Sequence, residues 1–278
     1  MKLTLLGTGT PQPNLQRRGA GQIIDTGNSR ILVDCGAGIL HRLVEAGYPE
    51  LPLTHIVFTH LHSDHVTGFM DVLWAGWIQR RWTTPPLVIG PPGTQGFIDG
   101  IMAAMAYDIR VREGEILNRE QLIPTVHEVE EGYKHEAADW QLEAFRVDHT
   151  PVDEAFGIRI DQDAASVVVS GDTRWSDNLI AHSKNASLLV HEVYLASAMQ
   201  QMTSGATEPQ EQERFRLVGY YHTASDLVGK IAAQANASHL ILSHIIRSRG
   251  NPQEFENDIT PDYGGKLTVG EDLMTFEV

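Results

Sequence analysis

Residues 59 to 65 read "THLHSDH", three histidines and an aspartate packed directly behind the apolar run "HIVF". Neutral imidazole and carboxylate are the side chains that borderline divalent metals prefer. The same pattern, a polar residue at the end of an apolar run, recurs downstream. His149 ends "FRVDHTP", Asp172 ends "SVVVSGDT", His191 ends "SLLVHE" and His244 ends "HLILSH". Strand ends are where an open sheet converges side chains on a ligand. The ligand candidates are therefore His60, His62, Asp64, His65, His149, Asp172 and His244. That is more than one ion needs, and it suits two ions sharing Asp172 as a bridge.

The elements that must carry these residues are legible as short runs. "KLTLLG" reads as a strand, and "GQIIDTGNSRILVDCG" as two strands joined at Gly27 and Asn28. "AGILHRLVEAG" has helical spacing and stops at Gly47, and 64 to 80 reads as one helix. Thr94 is the expected N-cap of a helix from 95 to 106. In the middle, "EILN", "IPTVHEV" and "WQLEAFRVDH" read as strands, followed by a hairpin turning between Asp161 and Ala165. "ASLLVHEVYL" and "SHLILSH" are buried strands on either side of the amphipathic helix "SDLVGKIAAQA". The polar stretch 200 to 215 is expected to be a lid or a long surface connection. No linker or short repeat interrupts the chain, so residues 1 to 278 are expected to form a single domain. Blocks of strands that then alternate with helices predict an α/β (α+β) fold of layered sheets covered by helices.

Composition narrows the partners. The formal charge is −15, which disfavours phosphate backbones unless a local basic patch overrides it. The single cysteine, Cys35, permits no internal disulfide and is expected to be a small buried hydrophobe. With neither a signal peptide nor a membrane-length apolar stretch in the sequence, a cytoplasmic location and no membrane partner are expected.

In order along the chain, "LLGTGTPQPNLQRRG", "LVDCGAG", "THLHSDH", "VDHTP", "SGDTR", "LLVHE", "YYHTAS" and "LILSHI" resemble the metallo-β-lactamase superfamily. Within it they are similar to the ribonuclease Z and arylsulfatase-like branch. The resemblance implies a four-layer αβ/βα sandwich, two mixed sheets flanked by helices. It also implies a zinc ion on His60, His62 and His149 and a second on Asp64, His65 and His244, bridged by Asp172, with Mn2+ or Fe2+ as alternatives. A metal-bridging hydroxide oriented by Asp64 would then hydrolyse an ester, with His222 of "YYHTAS" protonating the leaving oxygen or binding the substrate anion. Glu192 would accept from the ring of its neighbour His191, and the branch implies a homodimer.

The expected substrate is a small anionic ester of the aryl sulfate or phosphodiester type, held by Trp74, Trp77 and Arg80 of "DVLWAGWIQRRW". The interval between His149 and Asp172 is too short for the arm with which ribonuclease Z grips tRNA, and with the −15 charge this makes nucleic acid an unlikely partner. The alternatives are a ribonuclease Z-type tRNA 3′ endonuclease, a lactonase or β-lactamase-like hydrolase, and a non-catalytic ligand-binding member of the fold.

Overall fold

The computed structural model describes residues 1–114, 116–246 and 251–278. Its first half runs β1 (Lys2–Gly7), β2 (Gly21–Asp25), β3 (Arg30–Val33), α1 (Ile39–Glu45), β4 (His55–Val57), α2 (Ser63–Val66), α3 (Phe69–Ile78), β5 (Leu87–Gly90), α4 (Thr94–Ala104), α5 (Ala106–Arg112) and β6 (Val126–Glu128). The second half begins with β7 (Tyr133–Glu136), β8 (Gln141–Arg146), β9 (Phe156–Gln162), β10 (Ala165–Val169), α6 (Asp177–His182) and β11 (Leu188–Tyr194). It ends with α7 (Ala196–Gly205), α8 (Pro209–Tyr221), α9 (Ser225–Ala235), β12 (His239–Ile246), α10 (Pro252–Ile259), β13 (Lys266–Val269) and β14 (Thr275–Glu277).

These elements build two seven-stranded sheets, ordered β14-β1-β2-β3-β4-β5-β6 and β13-β12-β11-β10-β9-β8-β7. One apolar layer lies between them, with Leu3, Ile24 and Val57 from the first sheet meeting Ile158, Val167 and Val190 from the second. The outer face of the first sheet is covered by α1, α3, α4 and α5, through residues such as Leu43, Phe69, Ile98 and Ile109. On the second sheet Leu179 of α6, Ile231 of α9 and Phe255 of α10 do the same. The four-layer sandwich with two mixed sheets is therefore present. Strands β3 to β6 are parallel to one another, as are β10 to β13. Their carboxyl ends consequently share an edge, and the polar residues that end the apolar runs arrive there together.

Several local expectations need correction. The helix expected over 64 to 80 is broken between α2 and α3, because Gly68 passes so close to the backbone of Gly36 that a Cβ there would stand 2.1 Å from its carbonyl oxygen. Thr94 is not the N-cap: Gly93, at φ 99°, takes that place, and Thr94 Oγ1 donates back to the carbonyl of Pro91. The strand expected at "EILN" begins at Glu115, outside the described residues, and Ile116 to Asn118 are not extended in a ladder. Residues 200 to 215 lie mostly in α7 and α8, joined through residues 206 to 208, and the two helices pack on each other through Met199 and Phe215. No helix among the described residues is long and apolar enough to cross a membrane. Cys35 is fully buried in the first helical layer, as expected.

Candidate metal centre

Four peptide segments deliver the cluster. The turn after β4 and the start of α2 carry His60, His62, Asp64 and His65, the loop after β8 carries His149, the turn after β10 carries Asp172, and β12 carries His244. His244 sits where the pairing of β11 with β12 slips by one residue, between Glu192 and Val193, and its φ is 41°. A bulge of this kind re-aims a side chain at the end of a ladder. The strained, left-handed backbone at a non-glycine residue marks a position that the surrounding fold imposes.

Asp172 lies at the centre, 2% exposed. Its Oδ2 faces one set of imidazoles, 3.8 Å from His60 Nε2 and 3.9 Å from His149 Nε2. Its Oδ1 faces the other, 3.4 Å from His65 Nε2 and 3.3 Å from His244 Nδ1. His149 Nε2 and His62 Nδ1 stand 3.3 Å apart, and His244 Nε2 lies 3.1 Å from Asp64 Oδ2. The donor atoms of His60, His62, His149 and Asp172 all fall within 4.8 Å of one another, as do those of Asp64, His65 and His244. All seven residues expected to be ligands are brought together, in the two expected groups.

Buried polar atoms are ordinarily hydrogen-bonded. Four of the buried atoms without a hydrogen bond, His60 Nε2, His65 Nε2, Asp172 Oδ1 and His244 Nδ1, converge in this cluster. Burial also pushes the pKa of His149 down to about 4 and that of His60 well below the ordinary imidazole value, keeping both in the neutral form that ligates. The cluster fits a metal site.

A cavity of about 630 Å³ opens onto it, lined by His62, Asp64, Asp172, His222, His244 and Arg214 among others. His222 caps the end of α8, and its Nδ1 lies 3.1 Å from Glu192 Oε1. Burial alone would lower the pKa of His222, but the Glu192 carboxylate more than offsets it and raises the value to about 9. The same oxygen of Glu192 accepts from the backbone N–H of Thr173 and of Thr223.

This corrects the expected role of Glu192. Successive strand residues point to opposite faces, so the carboxylate of Glu192 is turned to His222 while His191 lies on the other face of β11. Among the described residues, the hydrogen bond of the His191 ring is to the backbone carbonyl of Glu192, at 2.7 Å from Nδ1. Burial lowers its pKa to about 4. The unfolded chain therefore binds a proton near pH 6.5 that the native chain refuses until about pH 4, and stability falls as pH falls through that window. His191→Leu should remove a pH-dependent loss of about 3 kcal/mol between pH 6.5 and 4. Urea unfolding of both proteins across that range checks it. Parallel curves would mean that His191 does not titrate there.

A family model described as "Anti-Pycsar protein Apyc1" matches residues 1–230. The chain belongs to this family. Ribonuclease Z from Mycobacterium bovis (strain BCG / Pasteur 1173P2) is 32% identical over 283 residues, covering 100% of this chain and 98% of the relative. Ribonuclease Z from Mycobacterium marinum is also 32% identical, over 284 residues, with 100% and 99% covered. Among solved structures, the metallo-β-lactamase fold protein YhfI from Bacillus subtilis superposes with a TM-score of 0.73 at 19% identity, covering 99% of this chain and 98% of that one. Human tRNase Z, short form, gives 0.69 at 21% identity, with 100% and 99% covered. The Apyc1-family chain is thus a metallo-β-lactamase-fold, metal-dependent hydrolase of the ribonuclease Z branch.

Two expectations about substrate are overturned by these relatives. They are named for a ribonuclease, against a small anionic ester as substrate and nucleic acid as an unlikely partner. The missing arm does not discriminate, because the mycobacterial relatives are covered almost completely by a chain of this length and have no room for a long insertion either.

The tryptophans are also reassigned. Trp74 and Trp77 lie on the inner face of α3 in the core of this Apyc1-family chain, 8% and 1% exposed. Trp74 Nε1 donates to Asp108 and Trp77 Nε1 to the carbonyl of Asn118. Arg80 lies exposed beyond the helix end, and none of the three lines the metal cavity. Sequence reading missed Arg214, which lies within the polar stretch expected to be a lid or a surface connection. It also missed the "TPQP" segment Thr10–Pro13, which lines the same cavity.

Proposed function

We propose that this chain is a two-metal phosphodiesterase that cuts RNA at the 3′ side of a tRNA precursor. The observation that carries this reading is the end-to-end match to relatives named ribonuclease Z, on a chain whose expected ligands form two groups around one carboxylate. His60, His62 and His149 would hold one ion and Asp64, His65 and His244 the other, with Asp172 shared. Zinc suits this imidazole-rich set. When bound, such a pair supplies a water-derived nucleophile at neutral pH and stabilises charge on the phosphoryl oxygens.

The chain's own residues account for the rest. His222 donates through Nδ1 to Glu192, which leaves Nε2 for the cavity that the ring lines. From there it hands a proton to the departing 3′ oxygen, a poor leaving group that needs one. Asp64 lies beside His244 on the cavity wall and orients the attacking water. The overall negative charge is offset locally. Arg214 lines the metal cavity, and Arg17 and Arg18 line an adjoining one of about 410 Å³ that shares Thr10 to Pro13 and Asp64 with it. Cations placed at a mouth attract phosphates even on an acidic chain.

The test is a precursor tRNA carrying a 3′ trailer, with a mononucleotide phosphodiester beside it. Cleavage at the 3′ end of the tRNA body is expected, abolished by a chelator and weakened by added salt. Hydrolysis of the mononucleotide with the precursor left intact would overturn the RNA reading.

A further inference from the structure

Behind the ligands lies a set of buried side chains that the reaction itself does not use. Asp34 follows β3 at φ 57° and is 2% exposed. Its Oδ2 receives His65 Nδ1 at 2.8 Å, and its Oδ1 accepts from the backbone N–H of Thr59 at 2.9 Å. Thr59, fully buried, places Oγ1 2.9 Å from Asp34 Oδ2 and 3.1 Å from Oδ1. The same Oγ1 lies 3.1 Å from His60 Nδ1.

Donor counting gives this chain a direction. A carboxylate accepts and cannot donate, and a hydroxyl has one proton. The Thr59 proton therefore goes to Asp34, and Oγ1 is left to accept from His60 Nδ1–H. His65 Nδ1 must likewise carry a proton to meet Asp34. In the neutral ring that ligates, a proton on Nδ1 makes Nε2 the bare lone pair, and the Nε2 atoms of both rings are among the buried atoms without a hydrogen bond. His60 belongs to one ligand group and His65 to the other.

We propose that Thr59 and Asp34 form one directed relay that fixes the tautomers of His60 and His65 together, so that both metal positions owe their competence to a single buried carboxylate. This rests on the metal-centre reading above. Asp34 and Thr59 are positioning residues, since neither lines the cavity that opens onto the centre.

The experiment combines zinc affinity, measured by chelator competition, with imidazole 15N–1H spectra of the metal-free protein. Wild type should show Nδ1–H on both rings. Thr59→Val should release the His60 tautomer, leave His65 as it was, and weaken one zinc by about 10- to 100-fold. Thr59→Ser should restore both readings, which a packing defect alone would not predict. Asp34→Asn should disturb both rings and both zinc ions, and if that variant does not fold, the Thr59 pair decides. The relay is overturned if Thr59→Val leaves zinc affinity and the His60 spectrum unchanged, or if Thr59→Ser is as impaired as Thr59→Val. Failure of wild type to bind zinc would sink the metal reading instead, and the spectra would still decide the tautomers.

Discussion

Asp172→Ala should empty both metal positions at once and abolish turnover, while His244→Ala should lose mainly one. The expectation follows from the two faces of the carboxylate. Oδ2 looks toward His60 and His149, and Oδ1 toward His65 and His244, all at 3.3 to 3.9 Å. Removing it deprives each group of a ligand and leaves the His60, His62 and His149 group with imidazoles alone. Removing His244 leaves His60, His62, His149 and Asp172 intact as a complete set of four. Elemental analysis after zinc reconstitution should read about two equivalents for wild type, near zero for Asp172→Ala and about one for His244→Ala. Identical loss in the two variants would show that Asp172 does not bridge.

His222→Ala should keep both metals and lose about 10²-fold or more in turnover on RNA, the range of a positioned general acid. A competing arrangement exists within the same site, because Asp172, His222 and His244 also bring donor atoms within 4.8 Å. The two roles separate by leaving group. A proton donor matters most when a ribose oxygen departs and least when a nitrophenolate does. An aryl phosphodiester used purely as a probe should therefore suffer much less than RNA. A ligand would cost metal and depress both substrates alike. Glu192→Gln should follow His222→Ala in pattern but more mildly, since the amide can still accept from Nδ1 while losing the charge beside the ring. A flat response across leaving groups, with metals retained, would make His222 a binding residue.

The cluster was legible because "THLHSDH", His149, Asp172 and His244 each follow or close an apolar run, and parallel strands bring such ends to one edge. What the sequence could not show is which way a side chain turns. His191 and Glu192 are adjacent letters with opposite faces, so the carboxylate that serves His222 was assigned to its neighbour. Trp74 and Trp77 lie close enough to the cluster in sequence to suggest a substrate wall, but the face of α3 that carries them is the inner one. Strand β7, "YKHE", escaped because an edge strand has little apolar pattern to read. Helix α8 escaped for a similar reason, with Phe215 its only buried residue. Asp34 and Thr59 did leave a signal: both are polar residues closing apolar runs, "ILVD" and "IVFT". Thr59 directly precedes His60, whereas Asp34 closes a strand whose end carries no member of the cluster.

The centre draws His60, His62, Asp64 and His65 from the half of the chain that supplies six of the seven strands of one sheet, and His149, Asp172 and His244 from the half that forms the other. Neither half holds a complete bridged set by itself. The alignment of the two halves is set by the apolar layer between the sheets, by residues such as Leu5, Val33, Ile160 and Val169 that touch no substrate. Catalytic geometry tolerates displacements of about an ångström poorly. Mutational drift in that layer is therefore exposed to selection at the active site before it is exposed through folding. A volume change too small to unfold the chain still slides one set of ligands past the other. In this architecture the inter-sheet core acts as the calibration of the enzyme, and its freedom to vary should be set by the tolerance of the reaction rather than by the stability of the fold.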